Sequence, residues 1–226
     1  MNVSVCAVIL AAGSGSRMNL DITKQKILLG SESILRRTVR IFNSAADVDD
    51  IIVVCRADEM DFAKEETKEF QKVRGVVVGG DTRVKSAICG FSAIPQNTEY
   101  VAIHDAARCF VTPDIISAVL ADAKRYGAAT ASAKVTDTVK VVSEDNCILK
   151  TVDRNTLVSV QTPQIFRTDL YKKAVDGYDG KTNVTDDNML VEMTGVKPYA
   201  TDTGKRNIKL TTLEDLALAN YLLNGD

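Results

Sequence analysis

Short runs of β-branched and apolar residues alternate along the chain with longer stretches whose apolar positions recur at helical spacing. Residues 3–10, 51–55, 75–78, 100–104 and 128–133 are of the first kind and predict strands. Residues 32–42, 58–70, 83–93 and 114–126 are of the second kind and predict amphipathic helices. Thr112-Pro113-Asp114 is a helix start, because a hydroxyl cap followed by proline suits the first turn, and Gly127 is a helix stop. Strand, helix, strand in this rhythm predicts βαβ units on a mostly parallel sheet. The strands are apolar throughout rather than alternating, which fits burial on both faces.

The rhythm breaks after Ala133. Residues 138–142 and 148–152 are β-rich and flank the polar turn Ser143-Glu144-Asp145-Asn146, so they predict a hairpin outside the βαβ series. That hairpin reads either as an excursion that meets a second copy of the chain or as an edge hairpin of the same sheet. Helices near 168–175 and 186–193, a strand near 197–200, and a last helix capped by Thr211 or Thr212 and running to Leu223 complete the pattern. No repeat or linker interrupts it, so residues 1–226 are expected to form one domain.

Composition narrows the classes. Apolar residues at 45% and a formal net charge of −2 exclude disorder as the main state and give no basic field for nucleic acid. The five cysteines are an odd number without a C-x-x-C pair, which predicts reduced thiols in a cytoplasmic protein. One histidine leaves no material for a His-cluster metal site or a His-relay hydrolase. The apolar run at 5–12 is too short to span a bilayer, and no basic residue precedes it, so neither a membrane partner nor a signal peptide is expected.

The chemistry concentrates first in Leu10-Ala11-Ala12-Gly13-Ser14-Gly15-Ser16-Arg17-Met18, small residues that follow a buried strand. Such residues let backbone N–H groups approach an anion closely. A dinucleotide fingerprint fails here, because Met18 stands where its third glycine belongs and the second strand ends in Cys55-Arg56 without an acid. A P-loop fails too: Gly180-Lys181-Thr182 has the right tail, but Val175 stands where its first glycine belongs. What remains is a Gly loop with its own cation, Arg17, and with Lys24 close behind. The bland reading is a tight strand-to-helix turn with a surface arginine.

Other motifs follow in order: Gly79-Gly80-Asp81-Thr82-Arg83 with Ser86, His104-Asp105-Ala106-Ala107-Arg108, Asp137-Thr138-Val139-Lys140, Thr151-Val152-Asp153-Arg154-Asn155, Thr162-Pro163-Gln164, Thr185-Asp186-Asp187 and Asn207-Ile208-Lys209-Leu210-Thr211. With the Gly loop and Lys24-Gln25, this series resembles the 2-C-methyl-D-erythritol 4-phosphate cytidylyltransferase family over residues 4–223. Thr23 and Lys26 stand where that family usually has a proline and an aromatic, and Cys109 where it usually has a proline. These changes touch loops and remove no reacting group.

The resemblance implies a Rossmann-like nucleotidyltransferase domain with a protruding β-hairpin arm at about 136–156. It implies transfer of CMP from CTP to 2-C-methyl-D-erythritol 4-phosphate, with pyrophosphate released and Mg2+ as cofactor. A pentitol-phosphate cytidylyltransferase is the nearest rival, and a nucleotide-binding regulator without turnover the rival of another class. Both reactants are anionic phosphates, so the chemistry needs cations and N–H donors around the α-phosphorus more than it needs a base. Arg17 and Lys24 suit that role, and the resemblance assigns it to them and to Lys209, which otherwise reads as the exposed face of an edge strand. Arg154 and Thr185 match family positions that hold the acceptor's phosphate, with the hairpin exchanged between two subunits of a homodimer.

The nucleotide set is Ala11, Ala12, Gly13, Ser14 and Gly15 in the loop, Gly79, Gly80, Asp81 and Ser86 toward the base, and Asp105 with Ala106. Asp81 also reads as a turn or cap residue. Asp105 ends a strand at the carboxyl edge of the sheet, where open α/β sheets bind ligands, and is the candidate for the ribose or for a Mg2+ shell. Arg108 reads as ribose or phosphate support or as a salt-bridge partner. Asp137, Thr138 and Lys140 either hold the acceptor's hydroxyls or decorate the base of the hairpin.

Overall fold

A computed structural model describes residues 3–13 and 22–224. The elements in chain order are β1 (Val5–Leu10), β2 (Leu28–Leu29), β3 (Glu32–Ser33), α1 (Ile34–Ser44), β4 (Asp50–Cys55), α2 (Met60–Thr67), β5 (Val73–Val78), α3 (Arg83–Phe91), β6 (Tyr100–Asp105), α4 (Pro113–Tyr126), β7 (Ala128–Lys134), β8 (Val139–Val142), β9 (Ile148–Val152), β10 (Val158–Arg167), α5 (Thr168–Asp176), α6 (Asp187–Glu192), β11 (Tyr199–Asp202) and α7 (Leu213–Asn224). A seven-stranded sheet runs β11-β7-β10-β6-β1-β4-β5. Its β5-β4-β1-β6 part is parallel, β11 joins β7 parallel, and β10 is antiparallel to both neighbours.

The two faces follow from the pleat. Val5, Ala7, Ile9 and Ala11 pack with Leu35, Val39, Phe42, Ile116 and Leu120 from α1 and α4. Val8 and Leu10 point the other way, onto Val84 and Ala87 of α3 and onto Tyr171 and Leu190 of α5 and α6. Burying each valine, leucine, isoleucine or phenylalanine side chain among them contributes about 1.5–3 kcal/mol, and these two layers hold the sheet rigid beneath the loops at its edge. Local signals set the helix ends. The Thr112 side chain accepts from the Ile115 N–H with Pro113 in the first turn, and Gly127 closes α4 at φ 83°, a left-handed conformation that favours glycine.

A smaller core packs Ile27, Leu29 and Ile34 against Cys109, Leu210 and Ala219. It ties α7, and the segment leading into it, to the loop after β6. Residues 208–210, strand-like in composition, are irregular backbone, linked to the loop through the Leu210 N–H and the Ala107 carbonyl at 2.9 Å. The hairpin forms as a two-stranded sheet of its own, β8 with β9, and not as an edge of the main sheet. No described helix is long and apolar enough to cross a membrane.

β10 lies outside the sequence-based strand set. It carries a register shift between Val160 and Gln164, and its Thr162–Pro163 peptide is cis. Polar residues and a proline hide it from a periodicity reading.

Candidate functional site

From β1 the chain runs outward through β4 and β5, then returns to the opposite side of β1 with β6. The strand order therefore reverses between β1 and β6, which is where doubly wound sheets open a ligand crevice. A cavity of about 430 Å3 lies there. Ala12 and Gly13 after β1, Lys24, Gly80 and Asp81 after β5, Ser86 of α3, Asp105 and Lys209 all border it. Residues from distant motifs thus meet at one place.

Some candidates sit one layer back. Ala11 is buried and its N–H donates to the Val54 carbonyl at 2.7 Å. Ala106 is fully buried; its N–H goes to the Leu10 carbonyl, its own carbonyl accepts from the Thr38 hydroxyl, and Ala107 borders the cavity instead. Gly79 lacks room for a side chain, since a Cβ there would stand 2.7 Å from Ser86 Oγ and 2.9 Å from Ala12 Cβ. Asp81 is exposed and ion-pairs with Lys85 at 2.9 Å, while the cap of α3 is Thr82. Ser14, Gly15 and Arg17 lie outside the described residues.

Lys24 opens a single 3-10 turn, Lys24–Lys26. Thr23, in the place of the usual proline, has φ −68°, the value a proline ring would impose, and its hydroxyl donates to the buried Glu59 carboxylate. Lys26, in the place of the usual aromatic, lies over the Phe62 ring at 5.2 Å.

Lys209 reaches the cavity because its segment is anchored on both sides. The buried Asn207 amide donates to Gln161 Oε1 at 3.1 Å and to the Thr162 carbonyl at 2.8 Å, and Leu210 is buried. Lys209 Nζ donates to Asp105 Oδ2 at 2.6 Å, and Arg83 Nε to Asp105 Oδ1 at 3.0 Å. Burial alone would push the Asp105 carboxyl up, but the Arg83 and Lys209 charges outweigh it and hold it well below the usual carboxylate range. Arg83 also donates through Nη1 to Asp187 Oδ2 at 2.5 Å. Burial opposes the Arg83 charge, and the Asp187 and Asp105 carboxylates more than restore it.

His104 fixes the loop from behind. Its ring accepts at Nδ1 from the Thr162 hydroxyl at 3.1 Å and donates through Nε2 to the Arg108 carbonyl at 3.3 Å, while Thr162 Oγ1 accepts the Asp105 N–H at 3.1 Å. With that hydroxyl as donor, the ring is neutral and carries its proton on Nε2. Burial pushes its pKa down to about 3.

A second cavity, of about 260 Å3, shares Arg83, Asp105 and Lys209 with the first and adds Arg108, Thr185 and Asp186. A third, of about 220 Å3, lies beyond Arg108 and is bordered by Asp137 and Lys205. Thr138 and Lys140 border none of the three. Lys140 is on β8 and donates to the Thr151 hydroxyl at 2.6 Å. Arg154 also borders none of them, and its guanidinium donates to the Thr136 carbonyl at 2.6 Å. The structure thus gathers Ala12, Gly13, Gly80, Asp81, Ser86 and Asp105 with Lys24 and Lys209, seats Thr185 and Arg108 next door, and leaves Arg154 at the foot of the hairpin.

The profile of the 2-C-methyl-D-erythritol 4-phosphate cytidylyltransferases, IspD, matches residues 5–225. The chain belongs to this family. It is 40% identical to the enzyme of that name from Clostridium novyi (strain NT) over 97% of this chain and 96% of the other. The Geobacter metallireducens enzyme is 42% identical over 98% of each. The crystal structure of 4-diphosphocytidyl-2C-methyl-D-erythritol synthase from Anaerococcus prevotii superposes with a TM-score of 0.89, at 29% identity, over 99% of this chain and 100% of that one. The chain is accordingly an enzyme of the nucleotidyltransferase type.

Among the described residues no group of three or more His, Cys, Asp or Glu side chains could hold a metal ion. The described carboxylates bordering the first cavity are Asp81, paired with Lys85, and Asp105, held at both oxygens by cations. This donor set fits a Mg2+ that arrives on a polyphosphate and borrows one carboxylate; it does not make a protein cage.

Proposed function

We propose that the chain transfers the CMP unit of CTP to the phosphate of 2-C-methyl-D-erythritol 4-phosphate, giving 4-diphosphocytidyl-2-C-methyl-D-erythritol and pyrophosphate for isoprenoid precursor synthesis. Family membership names the reaction. The observation that supports it physically is the convergence of Lys24, Arg83 and Lys209 on one cavity at the sheet's switch point. Two phosphate anions must meet there, and fixed cations offset their repulsion as charge develops.

In this reading Ala12, Gly13, Gly80 and Ser86 form the base and phosphate cradle, with Gly79 keeping the floor open. The acceptor's phosphate lies in the second cavity near Thr185 and Arg108, and one of its oxygens attacks the α-phosphorus. That dianion is already nucleophilic, so no general base is required, and His104, neutral and behind the loop, is left to structural work. Lys24, Lys209 and Arg17 stabilise the pentacovalent charge. Asp105 would help to hold a bound Mg2+, which would supply further positive charge to the triphosphate.

We further read the hairpin as a dimer element. Val141, Val142, Ile148 and Leu149 are all exposed on it, and an isolated two-stranded hairpin is not stable in water on its own. A second subunit that covered it would bring Arg154 to the neighbouring acceptor cavity. The test is pyrophosphate release on mixing CTP with the acceptor. Faster turnover of ribitol 5-phosphate would transfer the assignment to a pentitol-phosphate enzyme, and no release with either acceptor would remove it.

A further inference from the structure

Arg83 borders both cavities, as Asp105 and Lys209 do, and its guanidinium holds two carboxylates that come from different elements. It sits in the first turn of α3, with its side chain 28% exposed, between Asp105 at the end of β6 and the fully buried Asp187 of α6. Asp187 Oδ1 accepts from the Tyr171 hydroxyl at 2.6 Å. The Asp187 and Asn188 N–H groups both donate to Gln164 Oε1, at 3.0 and 3.2 Å, and Gln164 Nε2 donates to Asp186 Oδ2 at 2.8 Å. Ion pairs and hydrogen bonds thus run without a break from Lys209 through Asp105, Arg83 and Asp187 to Tyr171.

We propose that Arg83 is a positioning residue that aligns both substrates at once, orienting Asp105 toward the nucleotide cavity with one arm of its guanidinium and fixing the Thr185–Asp186 wall of the acceptor cavity with the other. The proposal rests on the reading of the two cavities given above. Arginine is required for geometric reasons. A planar fork holds two carboxylates in fixed directions, whereas an ammonium on a flexible stem serves one at a time. Sharing Asp105 with Arg83 also leaves Lys209 able to turn from the carboxylate to an arriving phosphate, because Asp105 keeps a counter-charge when Lys209 departs. With Arg83 gone, Lys209 is Asp105's remaining partner and stays on it.

Steady-state kinetics of Arg83→Lys, normalised to folded protein, test this. Both KM values are expected to rise at least fivefold and kcat to fall at least tenfold, because one ammonium cannot serve both carboxylates. A purely structural role would lower the melting temperature and the folded fraction but leave the constants per folded enzyme unchanged. KM values for CTP and acceptor both within twofold of wild type would overturn the proposal. If Arg83→Lys does not fold, Tyr171→Phe takes its place. It removes a donor from Asp187 and touches neither cavity, so the acceptor KM should rise about threefold while the CTP KM holds. An unchanged acceptor KM in that variant likewise overturns the proposal. Wild-type turnover is measured alongside: its absence removes the underlying assignment, whereas normal wild-type turnover with unaltered variants removes only the role of Arg83.

Discussion

Lys209 and Asp105, 104 residues apart in sequence, meet in an ion pair of 2.6 Å on the wall between the two cavities. The cation assigned to the reacting phosphorus therefore rests on a carboxylate that is also gripped by Arg83. Lys209→Ala should leave the fold intact, since Asp105 keeps one partner, and should lower kcat roughly 10²–10³-fold. Rapid-quench measurement of a single turnover would isolate that step. A kcat within threefold of wild type would exclude Lys209 from the chemistry.

Lys24→Ala should also collapse kcat while the CTP KM stays within a few fold, because its charge is most useful where charge develops. The reverse pattern, intact kcat with a raised CTP KM, would reassign Lys24 to ground-state binding.

Gly79→Ala places a methyl 2.7 Å from Ser86 Oγ and 2.9 Å from Ala12 Cβ. Overpacking of that kind costs about 1–3 kcal/mol. The strain falls on the part of the cavity proposed to hold the base, so the CTP KM should rise at least tenfold with little change in the acceptor KM. In the wild-type enzyme CTP should be strongly preferred to UTP, since a site built on buried hydrogen bonds rejects a mismatched edge. Equal turnover of UTP would contradict this.

His104 predicts the sign of one pH effect. Its folded pKa, about 3, lies below the ordinary value of 6.5, so between these values the unfolded chain binds a proton that the folded chain refuses. Stability from this residue is intact above about pH 6.5 and declines on acidification, by up to about 1.4 kcal/mol per pH unit. Urea denaturation of wild type and His104→Asn across pH 4–7 measures the difference in slope. Identical slopes would show that the ring is not buried as a neutral group.

The composite-site reading is tested by mixing Lys24→Ala with Arg154→Ala, each inactive alone. Subunit exchange should restore one intact site in each mixed dimer, giving up to about a quarter of wild-type activity. Demonstrated exchange without activity, or a monomer by sedimentation at assay concentration, would rule out a shared site.

The parallel half of the sheet was legible because β1, β4 and β6 are apolar runs with no competing pattern, and because Thr112, Pro113 and Gly127 punctuate α4. β10 was not, since Gln161, Thr162, Pro163 and Gln164 break the apolar pattern where the strand carries its irregularity. The nucleotide loops and Lys209 stand out as motifs, but Ile208-Lys209-Leu210 alone also has the composition of an edge strand, and only the packing of Asn207 and Leu210 shows how Lys209 is aimed. Arg83, Gln164 and Asp187 lay inside recognised motifs without a role. Their partners are 22, 23 and 104 positions away, and no local rule pairs charges over such spans.

The place of β10 in the sheet has a consequence for synthesis on the ribosome. β7 pairs only with β10 and β11, both made after it, and β10 is what joins β7 to β6. A nascent chain that has just extruded β7 can assemble the β5-β4-β1-β6 half with an open edge at β6, while β7 waits for a neighbour. Thr162, Thr185 and Lys209 then arrive in turn, so catalytic competence is acquired only after translation has passed the last of them. Release of a chain truncated before β10 should yield an aggregation-prone, inactive product.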